Sequence, residues 1–224
     1  MANSERKTDR RHQIALLVIC LGTLVMGTGC QGFYFLTNPN QSEKVEAEYG
    51  RIGKRKVAVV VWADQSTLDV YPRSRERVCR AVTHFMDERL DHARFVTYRD
   101  IRKLQERTDL DWESLRHAAL CKELDCDLVL RIDLLEFTMR ASDTRRLRKG
   151  RVSGTLALYE GGPEEHVDAV YQSEVKATYP PKSIHGAQDL DEAGLLHETV
   201  DAFAKEVARK FYAHEVKLQD RPGW

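Results

Sequence analysis

The chain has 224 residues, enough for one domain with a sizeable core plus a targeting segment and a linker. Lys and Arg number 35, as do Asp and Glu, so no net charge draws the chain onto nucleic acid. Of its 5 cysteines, Cys20 and Cys30 lie in the apolar leader; Cys79, Cys121 and Cys126, an odd set, argue against a full disulfide framework.

Residues 1–12, MANSERKTDRRH, are polar and net basic. Ile14–Met26 (IALLVICLGTLVM) is an uncharged apolar run, short of the roughly 20 residues that span a bilayer. Gly27-Thr28-Gly29-Cys30 follows it. A basic leader, a short apolar run and small residues before a cleavage point describe a secretory signal over residues 1–29. The cysteine directly after those small residues makes the segment resemble a bacterial lipoprotein signal. That resemblance implies that Cys30 is lipidated and becomes the first residue of the mature chain. Gly27 departs from the pattern, which most often has Leu or Val there. Two other readings stay open: a plain cleaved signal, and an uncleaved anchor from Ile14 to Leu36 interrupted by GTGCQG. All three put the body beyond the inner membrane, facing the periplasm. Gln31 rather than Asp follows Cys30, which points to the outer membrane. Residues 37–54 lack apolar periodicity, and the stretch 30–54 is expected to be a flexible tether.

The body is expected over residues 55–216, with a polar tail at 217–224. Lys56–Trp62 (KVAVVVW) is β-branched and predicts a buried strand, with a loop over Asp64–Pro72. Between Arg73 and Leu90, apolar residues at Val78, Ala81, Val82, Phe85, Met86 and Leu90 make a helical stripe. Arg94–Tyr98 predicts a short strand, and Asp100 the N-cap of a helix carrying Ile101 and Leu104. Asp111 would cap a further helix, Trp112–Glu123, which buries Trp112, Leu115, Ala118 and Ala119. Leu128–Phe137 (LVLRIDLLEF) is apolar on both alternating faces except at Arg131 and Asp133, as in a strand covered by helices. The basic stretch 138–151 predicts a loop, and Val152–Glu160 a strand. A hairpin connection at 161–166 leads to the alternating strand Val167–Tyr179, which Pro180-Pro181 ends. A helix is expected from Asp191 to Val216, with a stripe of Leu196, Thr199, Val200, Phe203, Ala204, Val207, Ala208 and Phe211. The expectation is an α/β fold: one two-layer or three-layer domain with a mixed sheet of about five strands, in the order β-α-β-α-α-β-β-β-α.

Chemistry is harder to find. The chain contains no G-x-S-x-G elbow, no phosphate loop and no G-x-G-x-x-G fingerprint, so no catalytic residue or cofactor is predicted. His197-Glu198 begins like a zinc-protease helix, but Asp201 stands where the second His is needed; an exposed helix face explains the pair better. His84, His92, His117, His166, His185 and His214 are scattered, and no metal site is predicted. Cys121 and Cys126 lack zinc-knuckle spacing and read as buried apolar groups or as a disulfide pair. Arg140, Arg145, Arg146, Arg148, Lys149 and Arg151 form the one concentrated charge block: a solvated loop, or a contact for an anionic partner.

The strand KVAVVVW, the unit RFVTYRDIRKLQE and the stretch CKELDCDLVLRIDLLEF together resemble the TolB amino-terminal-type domain. That domain type is shared with curli-secretion lipoproteins and the lipoproteins that activate penicillin-binding proteins. Asp125 stands where that family has Gly before the long strand. The resemblance covers residues 55–215 and implies a non-enzymatic envelope protein that binds another envelope protein. The alternatives are an exported enzyme with a site assembled from dispersed residues, and a subunit of a secretion or transport assembly.

Overall fold

The computed structural model describes residues 42–107, 116–140, 148–162, 168–181, 187 and 189–217. They fall in two compact units, Glu46–His214 and a smaller one that holds the described residues 42–45 and 215–217. The elements run β1 (Ser42–Val45), β2 (Lys56–Trp62), α1 (Gln65–Val70), α2 (Ser74–Asp87), β3 (Arg94–Phe95), α3 (Tyr98–Arg107), α4 (His117–Glu123), β4 (Leu128–Arg140), β5 (Arg148–Glu160), β6 (Tyr171–Tyr179), α5 (Glu192–Arg209) and β7 (His214–Lys217). Strands β1 and β7 form a two-stranded sheet of their own, and Ser42 Oγ donates to Glu215 at 3.0 Å.

The main unit is the expected α/β fold. Its sheet has the order β3-β2-β4-β5-β6, with β3, β2 and β4 parallel and β5 and β6 antiparallel. The chain steps from β2 out to β3, then back past β2 to β4. Right-handed crossovers that reverse direction put their helices on opposite faces. Accordingly α2 packs on β2 and on α5, which also covers β5 and β6, while α4 lies against β4 and β5 from the other side. There the His117 ring stacks on Tyr159, 3.3 Å between centroids and 6° from parallel. The sheet therefore has three layers around β4 and β5 and two at β6.

Burial follows from this arrangement. Val57–Trp62 are buried on both faces of β2, and α2 contributes Val78, Cys79, Val82 and Met86. Helix α5 buries Leu195, Thr199, Val200, Phe203, Ala204, Val207 and Ala208. It crosses β5 so closely that a Cβ at Gly150 would lie 1.8 Å from Thr199 Oγ1. The two charges in β4 face the other way, half-buried and close to His117 of α4. Arg131 forks onto Asp133 at 2.9 and 3.0 Å, and its guanidinium carbon sits 4.5 Å from the Trp62 ring centroid.

Several boundaries differ from the sequence expectation. The stretch expected as a loop holds α1, capped by Asp64, whose carboxylate accepts from the Thr67 amide at 2.7 Å. This helix has no buried residue, so it left no apolar stripe to read. Thr97, not Asp100, caps α3: its hydroxyl accepts from the Asp100 amide at 3.4 Å and donates to the Asp100 carboxylate at 2.7 Å. The second strand accordingly shrinks to Arg94–Phe95. In α4, Leu120 and Cys121 are buried while Ala118 and Ala119 are half-buried; Asp111, Trp112 and Leu115 lie outside the described residues. Strand β5 begins at Arg148 instead of Val152, and β6 at Tyr171 instead of Val167. Helix α5 stops at Arg209, with Leu195 rather than Leu196 on its buried face, and residues expected in its last turn form β7. Tyr49 and Ile52, expected in the tether, are core residues, and the Tyr49 amide donates to the Lys210 carbonyl at 3.0 Å. Residues 1–41 and 218–224 lie outside the described residues.

Val129, fully buried where β4 pairs with β2, is the position to test the core. Val129→Asp puts an unpaired carboxylate there, a cost of several kcal/mol against a total stability of about 5–15 kcal/mol, and should unfold the body. Exposed Arg140→Ala should stay within about 0.5 kcal/mol of wild type. Equal melting temperatures for the two variants would contradict the placement of β4.

Candidate functional site

The link from α4 into β4 organises a cavity at one end of the sheet. Helix α4 ends with Leu124, after which Asp125 takes φ 47°, in the left-handed region. The Cys126 amide then donates to the Cys121 carbonyl at 2.9 Å and the Asp125 amide to the Lys122 carbonyl at 3.3 Å. This pair of bonds around a left-handed residue is a Schellman motif, which satisfies carbonyls a helix end otherwise leaves open. Such motifs bring together the side chains flanking the turn, here Cys121 and Cys126, whose thiols hydrogen-bond to each other. Asp125 therefore holds a left-handed backbone position that a Gly would adopt without strain.

Both cysteines line a cavity of about 850 Å³ at the amino-terminal ends of β2 and β4, with Lys56, Arg94, Asp125 and Asp127. Three of these charged groups are committed to the protein itself. Lys56 Nζ meets Asp125 at 3.0 Å, and Asp127 accepts from the Lys56 amide at 2.7 Å. A neighbouring cavity of about 540 Å³ shares Lys56 and Asp125 and is edged by the pairs Asp100–Lys103, at 3.0 Å, and Arg107–Glu123. Open α/β sheets usually bind ligands at the carboxyl ends of their strands. At that end lies a smaller, mainly apolar cavity of about 270 Å³ between Val70, Tyr71, Phe137 and Leu196.

The thiols differ in character. Cys79 is 2% exposed, donates to the Val59 carbonyl at 3.1 Å, and is pushed up to about 12 by burial. Cys121 is held below the usual thiol value by its bond from Cys126, and Cys126 is raised by the same bond and by burial. His117 is held below its ordinary value by burial against Tyr159 and by the nearby Arg131. Among the described residues, no group of three or more His, Cys, Asp or Glu side chains could hold a metal ion. His197 pairs with Asp201 at 3.7 Å on the exposed side of α5.

The basic block does not form one surface loop. Arg140 and Arg148 stand opposite each other in register on β4 and β5, and Lys149 and Arg151 are also in β5. Arg148 donates to the Leu190 carbonyl at 2.9 Å, and Arg151 approaches Glu136 at 3.9 Å. Alternation along β5 sends Lys149 and Arg151 to the face opposite Arg148, so these four side chains do not converge. Arg145, Arg146 and Cys30 lie outside the described residues. Sequence reasoning missed the Arg131–Asp133–Trp62 cluster, whose signal was the two charges in an otherwise apolar strand. It also left the thiol contact undecided, because that depends on the conformation of Asp125.

No protein-family model matches the chain, and no curated protein matches it. Solved structures share loose likenesses. A PelC dodecamer from Paraburkholderia phytofirmans aligns at 11% identity and TM-score 0.43, over 77% of this chain and 98% of that one. Lipoprotein GNA1162 from Neisseria meningitidis aligns at 13% identity and TM-score 0.42, over 68% and 96%. The hypothetical protein CT253 from Chlamydia trachomatis aligns at 15% identity and TM-score 0.42, over 70% and 95%. Likenesses at these scores establish neither a family nor a function.

Asp125 tests the turn. Asp125→Gly and Asp125→Ala both remove the exposed carboxylate, but only Ala keeps a Cβ that crowds the left-handed backbone. The Gly variant should be more stable than the Ala variant by about 1 kcal/mol. Superimposable thermal melts of the two variants would contradict the left-handed turn.

Proposed function

We propose that the chain is an envelope lipoprotein held to a membrane through acylated Cys30, with an α/β body that serves as a non-enzymatic interaction or assembly module. The observation that carries this reading is the order of segments: basic leader, the apolar run Ile14–Met26, small residues, then Cys30 and a polar stretch. Each is common alone, but signal, anchor and tether need them in this sequence. The resembling TolB amino-terminal-type domains implied the same kind of role. Among the described residues, no helix is long and apolar enough to cross a membrane. A lipid anchor needs none: one acyl chain binds marginally, whereas two or more hold a protein stably.

The body supports a binding role by what its surface offers. In the cavity beside the thiols, Lys56, Asp125 and Asp127 bind one another's groups instead of converging on a reacting atom. Among the described residues, strand β6 is hydrogen-bonded to a neighbouring strand on one side only, and Val70 and Leu135 expose 67% and 61% of their surface. These features suit a surface met by another envelope protein, with the outer membrane as the expected location.

Wild-type protein expressed in a bacterial host with an alkyne fatty acid should carry the label and sediment with membranes. Cys30→Ala should lose the label and accumulate as untrimmed precursor. Equal labelling of the two proteins would overturn the assignment of Cys30.

A further inference from the structure

Cys121 and Cys126 are brought together by backbone geometry, at the wall of a cavity, and nothing in the proposed anchoring or binding role uses them. We propose that they form a reversible dithiol–disulfide site, open to small disulfides from the cavity that both residues line. The 2.9 Å bond from the Cys126 amide to the Cys121 carbonyl fixes the separation of the two backbones. With standard bond lengths it keeps their Cα atoms within about 7 Å. A disulfide spans Cα separations of roughly 4.4–6.8 Å, so closure needs only small side-chain movement. Both cysteines are free thiols, and the turn sets them on the same side of it. On its far side Cys121 is backed by Gly161, where a Cβ would meet the Cys121 Cβ at 2.8 Å and its Sγ at 3.0 Å. The absence of a side chain at Gly161 leaves the sulfur its place beside Cys126.

The reaction is thiol–disulfide exchange with a low-molecular-weight disulfide. One thiol of the pair loses its proton and attacks a sulfur of that disulfide, forming a mixed disulfide and expelling the first thiolate. The second thiol loses its proton, attacks the protein sulfur of the mixed disulfide and expels the second thiolate. The two released thiolates take up the two protons. The protein pair gives up two electrons, and the small disulfide is reduced to two thiols. A dithiol reductant reverses the process. Cys79 serves as an internal control, buried in α2 and bonded to the Val59 carbonyl. This site is independent of the state of Cys30.

Trypsin makes the test direct, because Arg116, Lys122 and Arg131 place the two cysteines on adjacent peptides, HAALCK and ELDCDLVLR. Folded full-length protein is incubated with oxidised glutathione, blocked with iodoacetamide, digested without reduction and mapped by mass. The expected product is a single species joining the two peptides, two hydrogens lighter than their sum, which dithiothreitol separates. Cys79 should remain unlinked. Separate peptides carrying iodoacetamide adducts, or a glutathione on each, would overturn the proposal.

Discussion

The parallel pairing of β2 with β4 is the constraint on which the rest of the body depends. It sets Val57, Val59 and Val61 beside Leu128, Leu130 and Ile132 on the face covered by α2 and α5. On the other face it sets Ala58 and Val60 beside Val129 and Arg131. A central strand buried on both sides tolerates few polar groups, because each must find a partner away from water. Lys56 and Asp127 provide the last paired groups before the cavity. The Lys56 amide binds the Asp127 carboxylate, and the Asp127 amide donates to the Lys56 carbonyl at 2.8 Å.

From that pairing follows the asymmetry of the unit. Helices cover both faces of the sheet at β4 and β5, whereas β6 is covered by α5 on one face. Arg131, Asp133 and Trp62 cluster on the α4 side of the sheet, close to His117. The Schellman turn fixes how α4 meets β4, and through it the position of both thiols and the shape of the cavity they line. Structural demands of a helix end therefore decide which chemistry this corner of the fold can hold.

What was legible in the sequence was what apolar periodicity encodes. KVAVVVW gave β2 with its observed ends, and LVLRIDLLEF gave the core of β4, because burial on both faces leaves little choice of residue. Periodicity said nothing about α1, which buries nothing, or about β7, whose residues follow a helical stripe without a strong stop signal. The basic block misled for a related reason. Arginines read as loop, yet Arg148, Lys149 and Arg151 extend a hairpin whose ladder is held by backbone groups. Tyr49 and Ile52 were hidden among polar neighbours, and only the fold brings them to the core. The functional side was less legible: the Cys30 pattern is local, but the thiol contact depends on a left-handed Asp125, which has no signature beyond its place after a helix.

In the proposed function, a sheet body with internally paired charges is held at a membrane through Cys30 and met there by a partner. That account stands on the first residue of the mature chain. The most direct measurement is the intact mass of the protein purified from bacterial membranes. The account predicts loss of residues 1–29 and a gain on Cys30 matching a diacylglyceryl group and an amide-linked acyl chain. A mature chain that begins elsewhere, or that carries an unmodified Cys30, would contradict it.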